Sequence, residues 1–164
     1  VVNTLMAAAE READPHTGTV DAREAAAAAI AACADGPSGK DIALVPAPAD
    51  GPIEVNADAD LTVQMLVPLI SNAARYGRSR VRLSVSRDGE SVAFRVTDDG
   101  PGLREDELES VFEPGVRGDA ANGAPGAGLG LALSRRLARA AGGDVVAEAA
   151  NGGGGRFVVR LPAS

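Results

Sequence analysis

The sequence predicts an α/β domain, a two-layer sandwich in which a mixed sheet of about five strands carries its helices on one face. Three observations lead there. Capped, apolar-periodic segments alternate with short β-branched runs. Two of those runs flank Asp88-Gly89, a strong hairpin signal. The order along the chain is helix, strands, helix, hairpin, loop, helix, hairpin, with no internal repeat.

Residues 1–12 (VVNTLMAAAERE) bring Val2, Leu5, Met6 and Ala9 to one helical face with nothing of their own to pack against, so they read as the tail of a longer helix. Residues 13–20, broken by Pro15 and Gly18, read as a linker, and the domain proper as 21–164. Asp21 is placed to cap a helix through the alanine tract to about Ala34, ended by the Gly-Pro-Ser-Gly run at 36–39. Strands near Ile42–Val45 and Ile53–Val55 follow, joined by a Pro/Gly turn. Asp58 or Asp60 caps a helix to Tyr76, with Pro68 inside it as an expected bend. Next come strands at Arg80–Ser86 and Ser91–Thr97, a short helix near Glu105–Val111, and a non-periodic Gly/Ala/Asn/Pro loop over 113–125. A helix from Gly128 to Ala141 leads to strands at Val145–Glu148 and Arg156–Leu161, with the NGGGG turn at 151–155 between them.

Composition narrows the classes. Of the 164 residues 24% are charged and 45% hydrophobic, which is globular rather than disordered. Aromatics are 2%, so the core is built from Val, Leu, Ile and Ala. The net charge of −7, from 23 acidic and 16 basic residues, argues against a sequence-independent nucleic-acid binder. The lone Cys33 excludes an intrachain disulfide framework, and no Cys/His cluster suggests zinc. The longest apolar run, 25–34, is about half of what a membrane span needs. A chain opening Val-Val-Asn rather than Met reads as part of something longer.

Four segments carry candidate chemistry. Asn72, Arg75 and Tyr76 lie late on the second long helix at three- and four-residue spacing. An Asn carbonyl can supply one oxygen to a magnesium ion that borrows its other ligands from water and phosphate, and Arg75 could reach those phosphates. Asp98, with Gly100 and Gly102, follows a strand directly; glycines permit close approach to a flat ligand, and an ionised carboxylate accepts from adenine's amine but repels guanine's carbonyl. The run GAGLGL at 126–131 opens a helix whose unpaired N–H groups suit an anion. It lacks the Gly-Lys-Ser/Thr of a P-loop, and its spacing is not that of a Rossmann fingerprint. Phe112 reads as an anchor at the base of the loop, from which Arg117 could swing onto a terminal phosphate. Each segment taken alone also has an ordinary structural reading: a helix-end Asn, an Asp-Gly turn, a glycine-rich helix entry, a core Phe and a solvated Arg.

As a set, in this order and spacing, the four resemble the N, G1, F and G2 boxes of the GHKL (Bergerat) ATP-binding fold, and most closely the catalytic domain of bacterial sensor histidine kinases. The match covers roughly 50–162, including AGGDVVAEA and GGGGRFVVRLP near the end. The resemblance implies ATP and Mg2+ as cofactors, Asn72 as metal ligand, and catalytic roles for Asn72, Arg75 and Arg117. It implies nucleotide contacts from Asn72, Arg75, Tyr76, Asp98, Gly100, Gly102, Gly126, Gly128, Leu129 and Gly130, and an ATP lid at about 113–127. Residues 1–12 resemble the end of a dimerisation and phosphotransfer helix. The implied partners are a histidine-bearing dimerisation domain of the same protein, a response regulator and, in the full-length protein, a second copy in a homodimer. The implied location is the cytoplasmic portion of a receptor.

Three departures stand out. Pro68 occupies the place, four residues before Asn72, where related ATPases carry a Glu general base, and proline takes no proton. The lid start reads Glu-Pro-Gly-Val-Arg-Gly without an aromatic pair. The only histidine, His16, lies in ADPHTGTV, outside any phosphoacceptor context. Two alternatives stay open at this point: a serine/threonine kinase of the anti-sigma type, and a nucleotide-sensing module without catalysis.

Overall fold

The structure, a computed structural model, describes residues 18–33, 41–45, 52–113, 127–149 and 154–164. The segment 1–17, the alanine-helix stop at 36–39, most of the expected lid with Arg117 and Gly126, and residues 150–153 of the last turn lie outside the described residues.

Strand β1 (Val20–Asp21) leads into helix α1 (Ala22–Cys33), whose start is held by Asp21 Oδ1 accepting from Arg23 N at 2.8 Å. Strands β2 (Asp41–Leu44) and β3 (Glu54–Val55) precede α2 (Ala59–Tyr76). Of the two caps the sequence offered, Asp58 serves: its carboxylate accepts from Leu61 N at 3.3 Å, and Thr62 Oγ1 donates to its carbonyl at 2.8 Å. Helix α2 runs through Pro68 without a break and buries Leu61, Met65, Leu66, Leu69, Ile70, Ala73 and Ala74 along one stripe. Then follow β4 (Arg80–Asp88), β5 (Ser91–Asp98), α3 (Ala127–Ala140), β6 (Asp144–Ala149) and β7 (Gly155–Pro162).

The main sheet has the order β2-β4-β5-β7-β6; β2 pairs parallel with β4 and the remaining neighbours are antiparallel. Period-two alternation sends Val81, Leu83 and Val85, Val92, Phe94 and Val96, and Phe157, Val159 and Leu161 into one core with the helices. Register puts Phe94 opposite both Val85 and Val159, and Val96 opposite Leu83 and Phe157. This is the expected two-layer α/β architecture with a five-stranded mixed sheet.

Three local expectations are corrected. The strands at 42–45 and 53–55 are not partners: β2 is an edge of the main sheet, whereas β3 pairs with β1 in a separate two-stranded ribbon. The reason is that β3 ends at the cap of α2 and is tied to the chain's last residues, through the Val55–Ala163 bridge and Asn56 N donating to Pro162 O at 2.9 Å. The linker accordingly ends before Val20, which pairs with Val55. The short helix at 105–111 is instead two 3-10 turns, Glu105–Glu107 and Ser110–Phe112, because its bonds close over three residues, as in Glu107 N to Arg104 O at 2.9 Å.

Candidate functional site

Strand phase places the central carboxylate. Val92, Phe94 and Val96 of β5 face the helical layer, and Asp98 is next in that row, at the strand's end. It is 8% exposed and the one charged residue among the buried described residues. Burying an ionised carboxylate is costly unless donors meet it. Here backbone N–H groups do: Gly100 N at 2.8 Å and Gly155 N at 3.3 Å, both to Oδ1.

The surroundings of Asp98 have no room for side chains. A Cβ on Gly100 would strike the carbonyl of Tyr76, and one on Gly155 would lie 2.9 Å from Asp98 Oδ2. Gly102 (φ +75°) and Gly154 (φ +88°) are in the left-handed region. A Cβ on Gly102 would come within 2.5 Å of Gly154 O, and one on Gly154 would overlap Asp98 O. The loop after β5 and the turn before β7 thus press backbone on backbone around one acidic side chain.

The end of α2 closes against this floor. Gly77 N donates to Ala73 O at 2.7 Å and ends the helix. A Cβ on Gly77 would lie 3.2 Å from Asp98 Cβ, so the helix end and the strand end are in direct contact. Asn72 and Tyr76 are half-buried, one turn apart, on this last stretch, and Arg75 is exposed. The Tyr76 hydroxyl is buried and has no hydrogen-bond partner among the described residues. One turn before Asn72, Pro68 meets α3: a Cβ on Gly130 would be 3.2 Å from Pro68 Cβ. One turn further along, Ser134 Oγ donates to Met65 O at 2.8 Å.

Among the residues expected from the sequence, the fold therefore joins Gly130, Asn72, Tyr76, Asp98, Gly100 and Gly102 through α2 and its two contacts. Gly128 and Leu129 lie in the first turn of α3. Arg117 and Gly126 lie outside the described residues.

Phe112 is buried as expected. It meets Phe157 edge-on (centroids 6.0 Å apart, 87°) and has the Arg135 guanidinium 4.5 Å from its ring centre. Arg135 also binds both oxygens of Glu109 (2.6 and 3.2 Å) and Asp144 Oδ1 (3.2 Å). Glu109's carboxyl is thereby held below its usual range, and Arg135's own pKa is raised, with Glu109 the largest cause.

Sequence reasoning passed over Arg135, Gly77, Gly154 and Asp99. Asp99 points away from the floor and accepts from the backbone of Arg78, Ser79 and Arg80. Its signal was the strand phase, which in an Asp-Asp pair must send one carboxylate inward and the next outward.

Fold and site together define the class: a two-layer α/β domain with one buried carboxylate enclosed by glycine backbone at a strand end, beside the end of a long helix that carries an amide. The family described as histidine kinase-, DNA gyrase B- and HSP90-like ATPase matches residues 57–164, and the chain belongs to it. It is 41% identical over 99 residues to the histidine-protein kinase AfsQ2 of Streptomyces coelicolor, and 43% over 94 residues to the sensor histidine kinase GtrS of Pseudomonas aeruginosa. Those matches cover 60% and 57% of this chain but 18% and 19% of the relatives, so the chain spans under a fifth of their length. Among solved structures, the mycobacterial sensor kinase MprB superposes with a TM-score of 0.77 at 24% identity, covering 89% of this chain and 98% of that one. The ATP-binding domain of PrrB from Mycobacterium tuberculosis gives 0.71 at 28% identity, over 90% of this chain and 97% of that one. No helix among the described residues is long and apolar enough to cross a membrane.

Proposed function

We propose that this chain is the ATP-binding catalytic domain of a sensor histidine kinase, which binds Mg–ATP and donates its γ-phosphate to a histidine on a separate helical domain. The observation that carries this reading is Asp98, buried at the end of β5 with backbone donors on Oδ1 and glycines on every side. An acceptor-only group there selects adenine's amine over guanine's carbonyl.

The remaining roles follow from position. Asn72 and the nucleotide's own phosphates would hold the magnesium ion, which neutralises phosphate charge when bound. Arg75, exposed on the same helix end, would reach the phosphates, and the N–H groups of α3's first turn at Gly128, Leu129 and Gly130 would receive them. Residues 113–127 would form the lid, with Arg117 and Gly126 on it. The work of the domain is alignment and charge neutralisation rather than covalent chemistry.

Pro68 supports phosphotransfer over hydrolysis. It packs on Gly130, at the place where a general base would stand, and supplies no proton acceptor. By the same reading residues 1–12 would come from the end of a dimerisation helix, and the residues between them and Val20 would link it to the catalytic domain. The partners are then the histidine-bearing domain, a second copy, and a response regulator, all on the cytoplasmic side.

The test mixes this domain with a histidine-bearing dimerisation domain and ATP labelled at the γ-phosphate. Acid-labile, base-stable label on the partner is the expected result. Tight ATP binding with persistent absence of phosphohistidine would instead favour a nucleotide-sensing module without catalysis.

A further inference from the structure

Asp98 and Asp99 are adjacent, yet they serve opposite sides of one joint. Asp99 Oδ1 accepts from three successive backbone N–H groups, Arg78 at 2.8 Å, Ser79 at 3.0 Å and Arg80 at 3.1 Å. Its Oδ2 accepts from the Ser79 hydroxyl at 2.6 Å and from Ser79 N at 3.2 Å. These donors lie in the loop between α2 and β4 and on the first residue of β4. Asp99 itself leaves the end of β5 directly after Asp98.

Two close glycine contacts flank this staple. Gly77 lies against Asp98 Cβ and Asp99 Oδ1, with a Cβ there 3.2 and 3.3 Å from them. Gly100 packs on the carbonyl of Tyr76. The turn 98–100 therefore wraps the end of α2, and Asp99 supplies its polar fastening. Asn72, Arg75 and Tyr76 ride on one side of the joint and Asp98 on the other.

We infer that Asp99 is a positioning residue that fixes the separation between the base-reading carboxylate of Asp98 and the amide-bearing end of α2, so that one ligand can engage both. The inference rests on the reading above, in which a nucleotide bridges the two. A charge-assisted carboxylate cluster suits the task, since it is short and directional, and three amides in a row define its place. Ser79 shares the task through its hydroxyl. Neither residue touches the nucleotide.

The test separates bridging from folding. Adenosine engages only the Asp98 side, whereas Mg–ATP engages both. With the domain carrying Asp99→Ala, the Kd for Mg–ATP rises at least about tenfold and that for adenosine stays within about twofold, read by calorimetry and by NMR titration. Asp99→Asn, which keeps one acceptor oxygen, falls between wild type and Asp99→Ala. Ser79→Ala, which deletes a single hydrogen bond, shows the smallest change in the same direction. Equal weakening of both ligands, or unchanged Mg–ATP affinity in folded variants, overturns the inference. If Asp99→Ala does not fold, Ser79→Ala and Asp99→Asn decide through the same ratio. Wild-type protein that binds neither ligand overturns the proposed function itself. Wild type that binds Mg–ATP, with variants that match it, removes only the role of Asp99.

Discussion

Gly155 donates its N–H to Asp98 Oδ1 at 3.3 Å, while a Cβ on the same residue would stand 2.9 Å from Oδ2. The start of β7 thus both holds the buried carboxylate and forbids any side chain beside it. Gly155→Ala has no backbone strain to overcome, because its φ is not in the left-handed region. The added methyl must push the carboxylate off the position that Gly100 N also binds. ATP affinity is expected to fall about tenfold by calorimetry, with a lowered thermal midpoint, since the buried carboxylate leaves its donors. Gly154→Ala differs in kind: at φ +88° and against Asp98 O it strains the turn, and thermal unfolding should shift down markedly.

Asp98→Asn tests the selectivity directly. An amide can present its N–H₂ group as well as its oxygen, so the preference for a base with an amine over one with a carbonyl weakens. The substitution is isosteric and the Gly100 and Gly155 donors can still reach an oxygen. ATP binding should drop by at least about tenfold and the ATP-to-GTP affinity ratio should shrink, while thermal unfolding stays near wild type. Unchanged ATP affinity in a folded variant would remove Asp98 from the site.

Asn72→Ala probes the other end. The side chain is half-buried on α2, one turn from Pro68 and one from Tyr76. In the proposed reading, removing the amide oxygen would delete a hard-cation ligand and leave the Asp98 floor intact. The ratio of ATP affinities with and without magnesium is expected to collapse toward one. A ratio equal to that of wild type counts against the assignment.

Asp99 also sets a pH dependence of stability. The Ser79 hydroxyl first, then the N–H groups of Ser79, Arg80 and Arg78, hold its carboxyl well below the ordinary carboxylate range. Below about pH 4 the unfolded chain takes up a proton on this group that the folded chain still refuses. Stability therefore rises with pH across that window and is fully present above it. As pH falls through the depressed value of the folded state, the contribution is lost. Asp88, held low by Arg95 and Arg160, adds in the same direction. Denaturant unfolding from pH 6 downward should show a steeper acid loss in wild type than in Asp99→Asn. Parallel curves would contradict the assignment.

What the sequence made legible, and what it hid, divides along the range of the interactions. The placement of Asp98, Gly100 and Gly102 was readable because the pattern is local: a strand in period two, then a glycine turn. The burial of Phe112 was readable for the same reason, and the cap of α2 was narrowed to Asp58 or Asp60, between which the structure chooses Asp58. The separation of β2 from β3 was not, since strands of four and two residues carry too little pattern to choose partners, and the choice was made by the distant contact of Val55 with Ala163. The contact of Pro68 with Gly130 likewise depends on how two helices cross. Proline at 68 read as a missing base, and only the packing gave it a partner.

Arg135 is the long-range case with the largest expected effect on stability. Its side chain is 11% exposed and joins three elements: Glu109 in the segment before the expected lid, the Phe112 ring beside it, and Asp144 at the start of β6. Arg135→Met keeps most of the aliphatic stem and so preserves packing against α3's neighbours. It loses the two bonds to Glu109 and the stacking on Phe112, while Asp144 retains Arg139 at 3.0 Å. Glu109 is 78% exposed, so its pairing contributes little once solvent screens it, and most of the loss comes from the ring contact and the packing of the largely covered guanidinium. A destabilisation of about 1–2 kcal/mol is expected, which lowers the thermal midpoint by roughly 2–8 °C in a domain of this size. Arg135→Lys, with charge but without a planar fork, should recover only part of it. Glu109→Gln should cost much less than Arg135→Met, and equal losses in the two would assign the stability to the ion pair rather than to the ring.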